Sequence, residues 1–321
     1  MTRSPRFFVE QGAAFAELEA ESVRALEGTL RQRSGDMTPS SQASASENHA
    51  APREAWDAIA EAYDAFVTVG EEELATQALL LAGLRAGDRF LDVAAGTGGL
   101  SLPAARLGAK VTATDWSPRM IERFEARVRE EGIEGAQGRV MDCHALDFPD
   151  AEFDITGSQF GVMLVPNQPQ ALAEMARVTR PGGRVLLVAY ANPAEFEALQ
   201  TFIGALHAAV PDFQGLPDDP PPLEFQVSDP EVMRHRLTEA GLADVKVDST
   251  HRERVVVDSG QQLWDWCLGG NPIPGMLVAD LPEDRRVAIR SILDAAVAER
   301  ANDHGEAVFT APVNIGMGTR E

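Results

Sequence analysis

From Arg89 onward, short apolar runs alternate with longer segments in which apolar residues recur every three to four positions. The short runs predict β-strands and the longer segments predict amphipathic helices. Because this alternation is typical of parallel sheets, it predicts a doubly wound α/β fold. The predicted strands are Arg89–Ala94, Lys110–Thr114, Gly138–Met141, Phe153–Ser158, Arg184–Tyr190, Asp244–Asp248 and Val308–Met317. Helices intervene before the final strand, so we expect a mostly parallel seven-stranded sheet with an antiparallel last strand.

Local end signals support the predicted helices. Ser117 and Pro118 give a serine N-cap followed by proline at the first helical position. Another helix ends at the turn sequence Arg180-Pro181-Gly182-Gly183, and Gly241 ends a third. The predicted helices are Arg53–Val67, Glu71–Leu84, Thr97–Leu107, Ser117–Glu131, Gln168–Val178, Ala194–Val210, Asp229–Ala240, Ser259–Leu268 and Glu283–Ala301.

The pattern divides the chain into an N-terminal extension and one large domain. Residues 1–52 comprise a helical arm, Phe7–Arg33, and a Ser- and Pro-rich stretch that we interpret as a flexible linker. The domain, residues 53–321, has its core in 85–190. Three further segments with helical insertions are predicted to cover the site of a small-molecule substrate: 53–84, 191–230 and 250–306.

Composition narrows the classes of function. The formal charge of −22 disfavours nucleic acid and anionic membranes as partners. The two cysteines, Cys143 and Cys267, form neither a CxxC motif nor a disulfide framework, so no metal site is predicted. No apolar run approaches the ~18 residues of a membrane span, and no signal peptide is visible. We therefore expect a cytoplasmic protein, monomeric or homodimeric, that acts on a small molecule.

The most informative segment runs from Phe90 to Gly99, where an apolar strand ends in an acid and enters a glycine-rich turn. In doubly wound sheets, ligands bind beyond the carboxyl ends of the strands, beside the first strand. Small residues at Ala94, Gly96 and Gly98 would let a ligand approach the backbone closely. A single glycine-rich turn is weak evidence, because many tight turns look similar.

Three acids near the ends of successive strands strengthen the prediction of a nucleotide site. Asp92 lies beside the glycine turn, Asp115 follows the second strand and Asp142 follows the third. Asp115 lies 19 positions after Gly96 (115 − 96), close to the ~20-residue offset at which an acid accepts ribose hydroxyl hydrogen bonds. Capping alone does not readily explain all three.

Charge distinguishes two candidate cofactors. NAD would place a pyrophosphate at the helix N-terminus after the turn, where Asp92 would repel it. S-adenosylmethionine (SAM) has no phosphate and carries a sulfonium and an ammonium, which a carboxylate attracts. The acid at position 92 therefore favours SAM.

Residues Trp56 to Tyr190 resemble the SAM-dependent methyltransferases grouped around the ubiquinone and menaquinone biosynthesis C-methyltransferases. The motifs that carry the resemblance are Trp56-x-x-Ile59-Ala60-x-x-Tyr63-Asp64, the Leu91-to-Gly98 loop, Thr114-Asp115-Trp116-Ser117-Pro118-x-Met120, Phe148-Pro149-Asp150-x-x-Phe153-Asp154 and Glu174-Met175-x-Arg177-Val178-x-Arg180-Pro181-Gly182-Gly183. These motifs are specific to the superfamily and only weakly specific to a methyl acceptor.

The resemblance implies a set of cofactor contacts. Asp92 and the backbone from Ala94 to Gly98 would hold the methionine part, and Asp115 would bind the ribose hydroxyls. The remaining predicted contacts are Trp116, Asp142 and Cys143 around the adenine, Ser158 and Gln159 at the methionine end, and Tyr63 closing over the cofactor.

The chain departs from the family pattern at two places. Ala94 stands where the family more often has glycine. Met141-Asp142-Cys143-His144 replaces a more usual Gly-Asp-Ala-Glu-like run, so the departure falls on the predicted adenine contacts and not on the ribose contact.

The sequence predicts an enzyme that methylates a small, largely apolar acceptor, and it identifies no catalytic residue. The candidate acceptor walls are Phe196, Leu199, Phe202, Phe213, Phe225 and Trp264. Two alternatives remain at this point: a SAM-binding protein without methyltransferase activity, and an NAD-dependent oxidoreductase.

Overall fold

The structure, a computed structural model, describes residues 50–217 and 220–321. The predicted arm and linker, residues 1–52, lie outside the described residues except for the last three. Within the described part the strands are β1 (Arg89–Val93), β2 (Lys110–Asp115), β3 (Ala136–Val140), β4 (Phe153–Gln159), β5 (Thr179–Tyr190), β6 (Leu242–Val257) and β7 (Ala307–Arg320). The helices are α1 (Arg53–Tyr63), α2 (Val69–Leu81), α3 (Ser101–Arg106), α4 (Pro118–Glu131), α5 (Gln168–Val178), α6 (Glu197–Ala209), α7 (Pro230–Glu239), α8 (Gly260–Gly270), α9 (Pro272–Val278) and α10 (Glu283–Arg300).

The strands form one seven-stranded sheet in the order β3-β2-β1-β4-β5-β7-β6. Strands β1 to β5 pair in parallel, whereas β7 pairs antiparallel with both β5 and β6. This confirms the predicted α/β fold with an antiparallel last strand. The strand order reverses beside β1, so the carboxyl ends of β1, β2 and β4 meet at one edge of the sheet, where ligands bind in such folds.

Local sequence signals explain several boundaries. The Ser117 hydroxyl accepts a hydrogen bond from the Met120 amide and caps α4, as predicted. Helix α5 has its predicted bounds, and its N-cap Asn167 accepts from the Gln170 amide. Helix α3 begins at Ser101 rather than at Thr97, because the glycine turn continues through Leu100.

Three strands, β5, β6 and β7, are at least four residues longer than predicted. β6 was expected to span Asp244–Asp248 and instead continues to Val257. The prediction stopped short because Thr250–Arg254 is polar; in this edge strand Thr250, Arg252 and Arg254 face solvent, whereas Glu253 is buried. The short helix α9, with prolines at 272 and 274, was not predicted.

Hydrophobic residues form two main cores. The larger fills the space between the sheet and its flanking helices and includes Phe90, Leu91 and Leu187. The second lies between α6, α8, α10 and the extended ends of β6 and β7, with Trp264 and Phe309 fully buried. This second core builds a helical cover beside the carboxyl edge of the sheet. No described helix is long and apolar enough to cross a membrane.

Candidate functional site

A cleft enclosing about 1050 Å³ lies at the carboxyl ends of β1, β2 and β4. Its walls come from the glycine turn, the segments after β2, β3 and β4, and the end of α1. The structure brings together eight of the predicted cofactor residues along this cleft: Tyr63, Ala94, Gly96, Asp115, Trp116, Asp142, Cys143 and Gln159.

The other three predicted residues, Asp92, Gly98 and Ser158, are buried and are not part of the cleft lining. Ser158 is buried, and its hydroxyl accepts a hydrogen bond of 3.0 Å from the Val162 amide. Gly98 has φ +104°, and a Cβ there would lie 2.6 Å from the Phe124 ring. The absence of a side chain at Gly98 therefore allows the glycine turn to pack closely against Phe124 of α4. Ala94 and Gly96 are the small residues that line the cleft.

Asp115 is held rigidly at the end of β2. Its Oδ2 accepts a hydrogen bond of 2.9 Å from the Gly96 amide, and its Oδ1 accepts one of 2.9 Å from the Ser117 amide. Burial raises the pKa of Asp115 to about 6, against the two amide hydrogen bonds, which lower it. The carboxylate thus joins the glycine turn to the start of α4, and it also lines the cleft.

Asp92 carries an unpartnered oxygen. The residue is 1% exposed, and its Oδ2 accepts a hydrogen bond of 2.6 Å from the Ser101 hydroxyl. Its Oδ1 is buried with no partner among the described residues. Burial raises the pKa of Asp92 to about 7, and the charge of Asp115 adds to that increase. Two residues before Ala94, this carboxyl fits a cationic ligand group, which would supply the missing partner.

The adenine end was predicted from Trp116, Asp142 and Cys143. The Trp116 side chain is 42% exposed, and Asp142 Oδ1 accepts from the His144 amide at 2.9 Å and lies 2.7 Å from His144 Nδ1. Cys143 is buried, which raises its pKa to about 12. Although the ligand atoms of residues 142–144 lie within 4.8 Å of one another, burial disfavours the thiolate that a metal ion would need.

Tyr63 is positioned by charges on the neighbouring turn. Helix α1 continues into a π-helical turn, Asp64–Thr68, and the buried Asp64 carboxylate receives Arg123 and Arg127 of α4. The Arg127 guanidinium also lies 3.1 Å from Glu72 of α2. These ion pairs hold the end of α1 against the Rossmann-like core, so that the Tyr63 ring packs over Gly96.

A second cavity, which we call the chamber, lies next to the cleft. Tyr63, Phe160 and Leu164 line both spaces and form the wall between them. Aromatic rings continue from that wall into the chamber. The Phe160 and Tyr190 rings are stacked with centroids 4.4 Å apart, and Phe196 follows at 4.4 Å from Tyr190.

Four of the six predicted acceptor walls line the chamber: Phe196, Leu199, Phe202 and Phe225. The other two do not. Trp264 is 1% exposed and packs against Phe202 in the second core, and Phe213 packs against His207. Trp266, which was not among the predicted walls, lines the chamber.

Sequence reasoning missed a pair of acid–tyrosine contacts. The Tyr63 hydroxyl donates to Glu71 Oε1 at 3.2 Å, and the Tyr190 hydroxyl donates to Glu253 Oε2 at 2.9 Å. Burial, together with the charge of Glu253, raises the pKa of Glu71 to about 8, and burial raises the pKa of Glu253 to about 7. A signal did exist for Glu71, since it shares the buried helical face of Val67 and Leu74.

Part of the chain is similar in sequence to known methyltransferases. A sequence model of the family described as "Methyltransferase domain" matches residues 91–187. The chain is 37% identical over 166 residues to a demethylmenaquinone methyltransferase of Beutenbergia cavernae, covering 48% of this chain and 67% of that protein.

Other matches are shorter or share the fold alone. An uncharacterized protein of Mycobacterium tuberculosis is 40% identical over 128 residues, which is 39% of this chain. The chain spans just under half, 46%, of that relative's length. The crystal structure of the YcgJ protein from Bacillus subtilis superposes with a TM-score of 0.50 at 22% identity, covering 78% of this chain and 98% of that one.

Proposed function

Because the chain belongs to the SAM-dependent methyltransferase family, we propose that it transfers the methyl group of SAM to a small, largely apolar acceptor bound in the chamber. The observation that carries this proposal is the shared wall of Tyr63, Phe160 and Leu164 between the cleft and the chamber. A cofactor in the cleft and an acceptor in the chamber would meet at that wall.

The residues of the cleft fit the groups of SAM. Asp115 would accept hydrogen bonds from the ribose hydroxyls, and the unpartnered Oδ1 of Asp92 would receive the ammonium. Asp142 and Trp116 would flank the adenine at the mouth of the cleft. When bound there, SAM supplies an electrophilic methyl carbon, and the protein supplies position and electrostatics.

The chamber fits an acceptor of apolar character. Its walls come from the three segments predicted to cover the acceptor, 53–84, 191–230 and 250–306, together with Phe160, Met163, Leu164 and Tyr190 of the core. Such a cover excludes water and positions the acceptor atom ~3–3.5 Å from the methyl carbon. Glu71, at the chamber wall beside Tyr63, is the carboxyl that in its ionised form takes the proton lost by the acceptor.

The test is methyl transfer by the purified full chain. Tritium-labelled SAM is incubated with a library of phenols, quinols, amines and lipid-like acceptors, with Asp115→Ala as the background control. The proposal predicts labelled product in the small-molecule extract and S-adenosylhomocysteine in equal amount. Tight SAM binding without labelling of any small acceptor would favour a non-catalytic SAM-binding protein. Nicotinamide turnover in place of SAM turnover would indicate an oxidoreductase.

A further inference from the structure

Glu224 places in the chamber wall a carboxyl oxygen that has no hydrogen-bond partner among the described residues. The residue lies in a short 3₁₀ turn, Leu223–Phe225, and contributes to the chamber wall. Its Oε2 is buried and has no hydrogen-bond partner among the described residues. Burial raises the pKa of Glu224, because an ionised carboxylate there would lose its hydration. A buried polar oxygen left without a partner is costly, so a ligand group that donates a hydrogen bond to it would be stabilising.

The turn that carries Glu224 is anchored to the core. Leu223 is 3% exposed, and its carbonyl accepts a hydrogen bond of 3.0 Å from Nε2 of Gln168 in α5. The Phe225 amide donates to the Pro222 carbonyl at 2.9 Å. The backbone on both sides of Glu224 is therefore fixed, and its side chain remains at the chamber wall.

The chamber wall carries two carboxyl side chains and, among the described residues, no basic side chain. Glu71 is the second carboxyl in the wall, and no lysine, arginine or histidine belongs to the described lining. Aromatic rings make up much of the rest of the surface, among them Tyr190, Phe196 and Trp266. Carboxyl groups and the negative faces of aromatic rings both attract a cation. An anionic acceptor would find no cationic side chain among the described residues of the lining and would disfavour ionisation of both carboxyls.

We infer that the methyl acceptor carries a protonated amine on an apolar body, and that Glu224 is the residue that recognises this amine. The inference rests on the proposed function, since it assigns the acceptor class for the same chamber. The amine would supply the hydrogen-bond donor that Glu224 Oε2 lacks. The apolar body would lie against rings such as Phe202 and Phe225.

The experiment compares probes that differ only in the charged group. Tryptamine, tryptophol and indole-3-acetate form one set, and 4-phenylbutylamine with its alcohol forms another. Binding to the full chain is measured by calorimetry with S-adenosylhomocysteine present. We expect at least one amine to bind about tenfold more tightly than its matched alcohol. The Glu224→Gln variant should reduce that ratio to within about threefold while leaving the binding of the alcohol unchanged.

Controls separate this inference from the proposed function. Glu231→Gln, an exposed substitution on α7, should keep the wild-type preference for the amine. SAM affinity should be the same in Glu224→Gln as in the wild type. Alcohols or acids that bind as tightly as the amines, an amine preference that survives in Glu224→Gln, or no amine binding by a protein that binds SAM would each overturn the inference. Transfer of label to a phenol or quinol alone would overturn it while supporting the methyltransferase proposal.

Discussion

The Tyr63 hydroxyl donates a 3.2 Å hydrogen bond to Glu71 Oε1 at the wall between the cleft and the chamber. Tyr63 ends α1 and lines both spaces, whereas Glu71 lies in the first turn of α2 and lines the chamber. The pair therefore links the predicted cofactor site to the predicted acceptor site through two adjoining helices.

Glu71 gives the stability of the protein a pH dependence. Its pKa is about 8 in the folded chain against a usual 4.5, so the folded state holds this proton more tightly than the unfolded state. Its contribution to stability is therefore greatest below about pH 4.5 and is lost as the pH rises towards 8. Glu71→Gln cannot ionise. The free energy of unfolding of Glu71→Gln, relative to that of the wild type, should therefore increase by on the order of 1–3 kcal/mol between about pH 6 and 8.5.

Urea unfolding at the two pH values measures this difference. Glu73→Gln is the matched control, because Glu73 is exposed on the same helix. Equal pH slopes in the wild type and Glu71→Gln would show that Glu71 is ionised at no cost in the folded chain.

Asp115 should control the affinity for SAM. Asp115→Ala removes the acceptor of two ribose hydrogen bonds, each worth ~1.5–3 kcal/mol when charge-assisted. We expect calorimetry to show SAM binding at least about tenfold weaker. Asp147→Ala changes an exposed aspartate and should bind SAM normally.

The same carboxylate also holds the Gly96 and Ser117 amides, so thermal unfolding of Asp115→Ala must show that the fold is intact. Wild-type affinity for SAM in a folded Asp115→Ala protein would contradict the assignment of Asp115 to the cofactor.

Asp92 should make SAM binding depend on pH. Its pKa is about 7 in the free protein, and a cationic ligand binds its ionised form. Affinity should therefore rise between about pH 5.5 and 7, by up to tenfold per unit for one proton, and level off above about 7.5. Asp92→Asn should bind more weakly at about pH 7.5 and lose most of this slope. Calorimetry across the pH range measures both, and an unchanged slope in Asp92→Asn would exclude Asp92 as the titrating group.

Ala94 stores backbone strain at the start of the glycine turn. It has φ +55°, a conformation that favours glycine, and it stands where the resembling family more often has glycine. Ala94→Gly should raise the free energy of unfolding by about 1 kcal/mol. Ala126→Gly, within α4, should instead lower it by about 1 kcal/mol. Denaturant titration distinguishes these outcomes, and destabilisation by Ala94→Gly would show that the Ala94 methyl contributes packing that outweighs the strain.

Sequence reasoning reached the fold and the cofactor because both depend on local signals. The cap at Ser117 depends only on neighbouring residues in the chain. The spacing from Gly96 to Asp115 depends on a single strand–helix–strand crossover. The prediction for the edge strand β6 was too short because polar residues obscure the alternation of apolar and polar positions. An edge strand needs apolar residues only on the face that packs against the protein.

The acceptor chamber was only partly predictable because distant segments assemble it. Phe196 and Phe225 reach the chamber, yet Trp264 belongs to the core and Trp266 faces the chamber. The two tryptophans lie two positions apart on α8, so they point in different directions, and composition alone cannot tell which direction is inward. Glu224 gave no sequence signal, because its burial depends on how the turn at 223–225 packs on α5.

The central claim is that cofactor and acceptor occupy adjoining spaces, and a variant that fills the chamber tests it most directly. Leu199 lines the chamber from α6, so Leu199→Trp should obstruct the acceptor and leave the cleft untouched. Ala208→Trp, an exposed change on the same helix, is the matched control.

The measurement is the rate of methyl transfer from labelled SAM to small acceptors, taken together with SAM affinity in the same preparations. We expect Leu199→Trp to bind SAM within about twofold of the wild type and to transfer the methyl group at least about a hundredfold more slowly, while Ala208→Trp matches the wild type in both. A wild-type rate of methyl transfer in Leu199→Trp would contradict the placement of the acceptor in the chamber. Label in RNA or protein, with none in any small molecule, would contradict the proposed acceptor class.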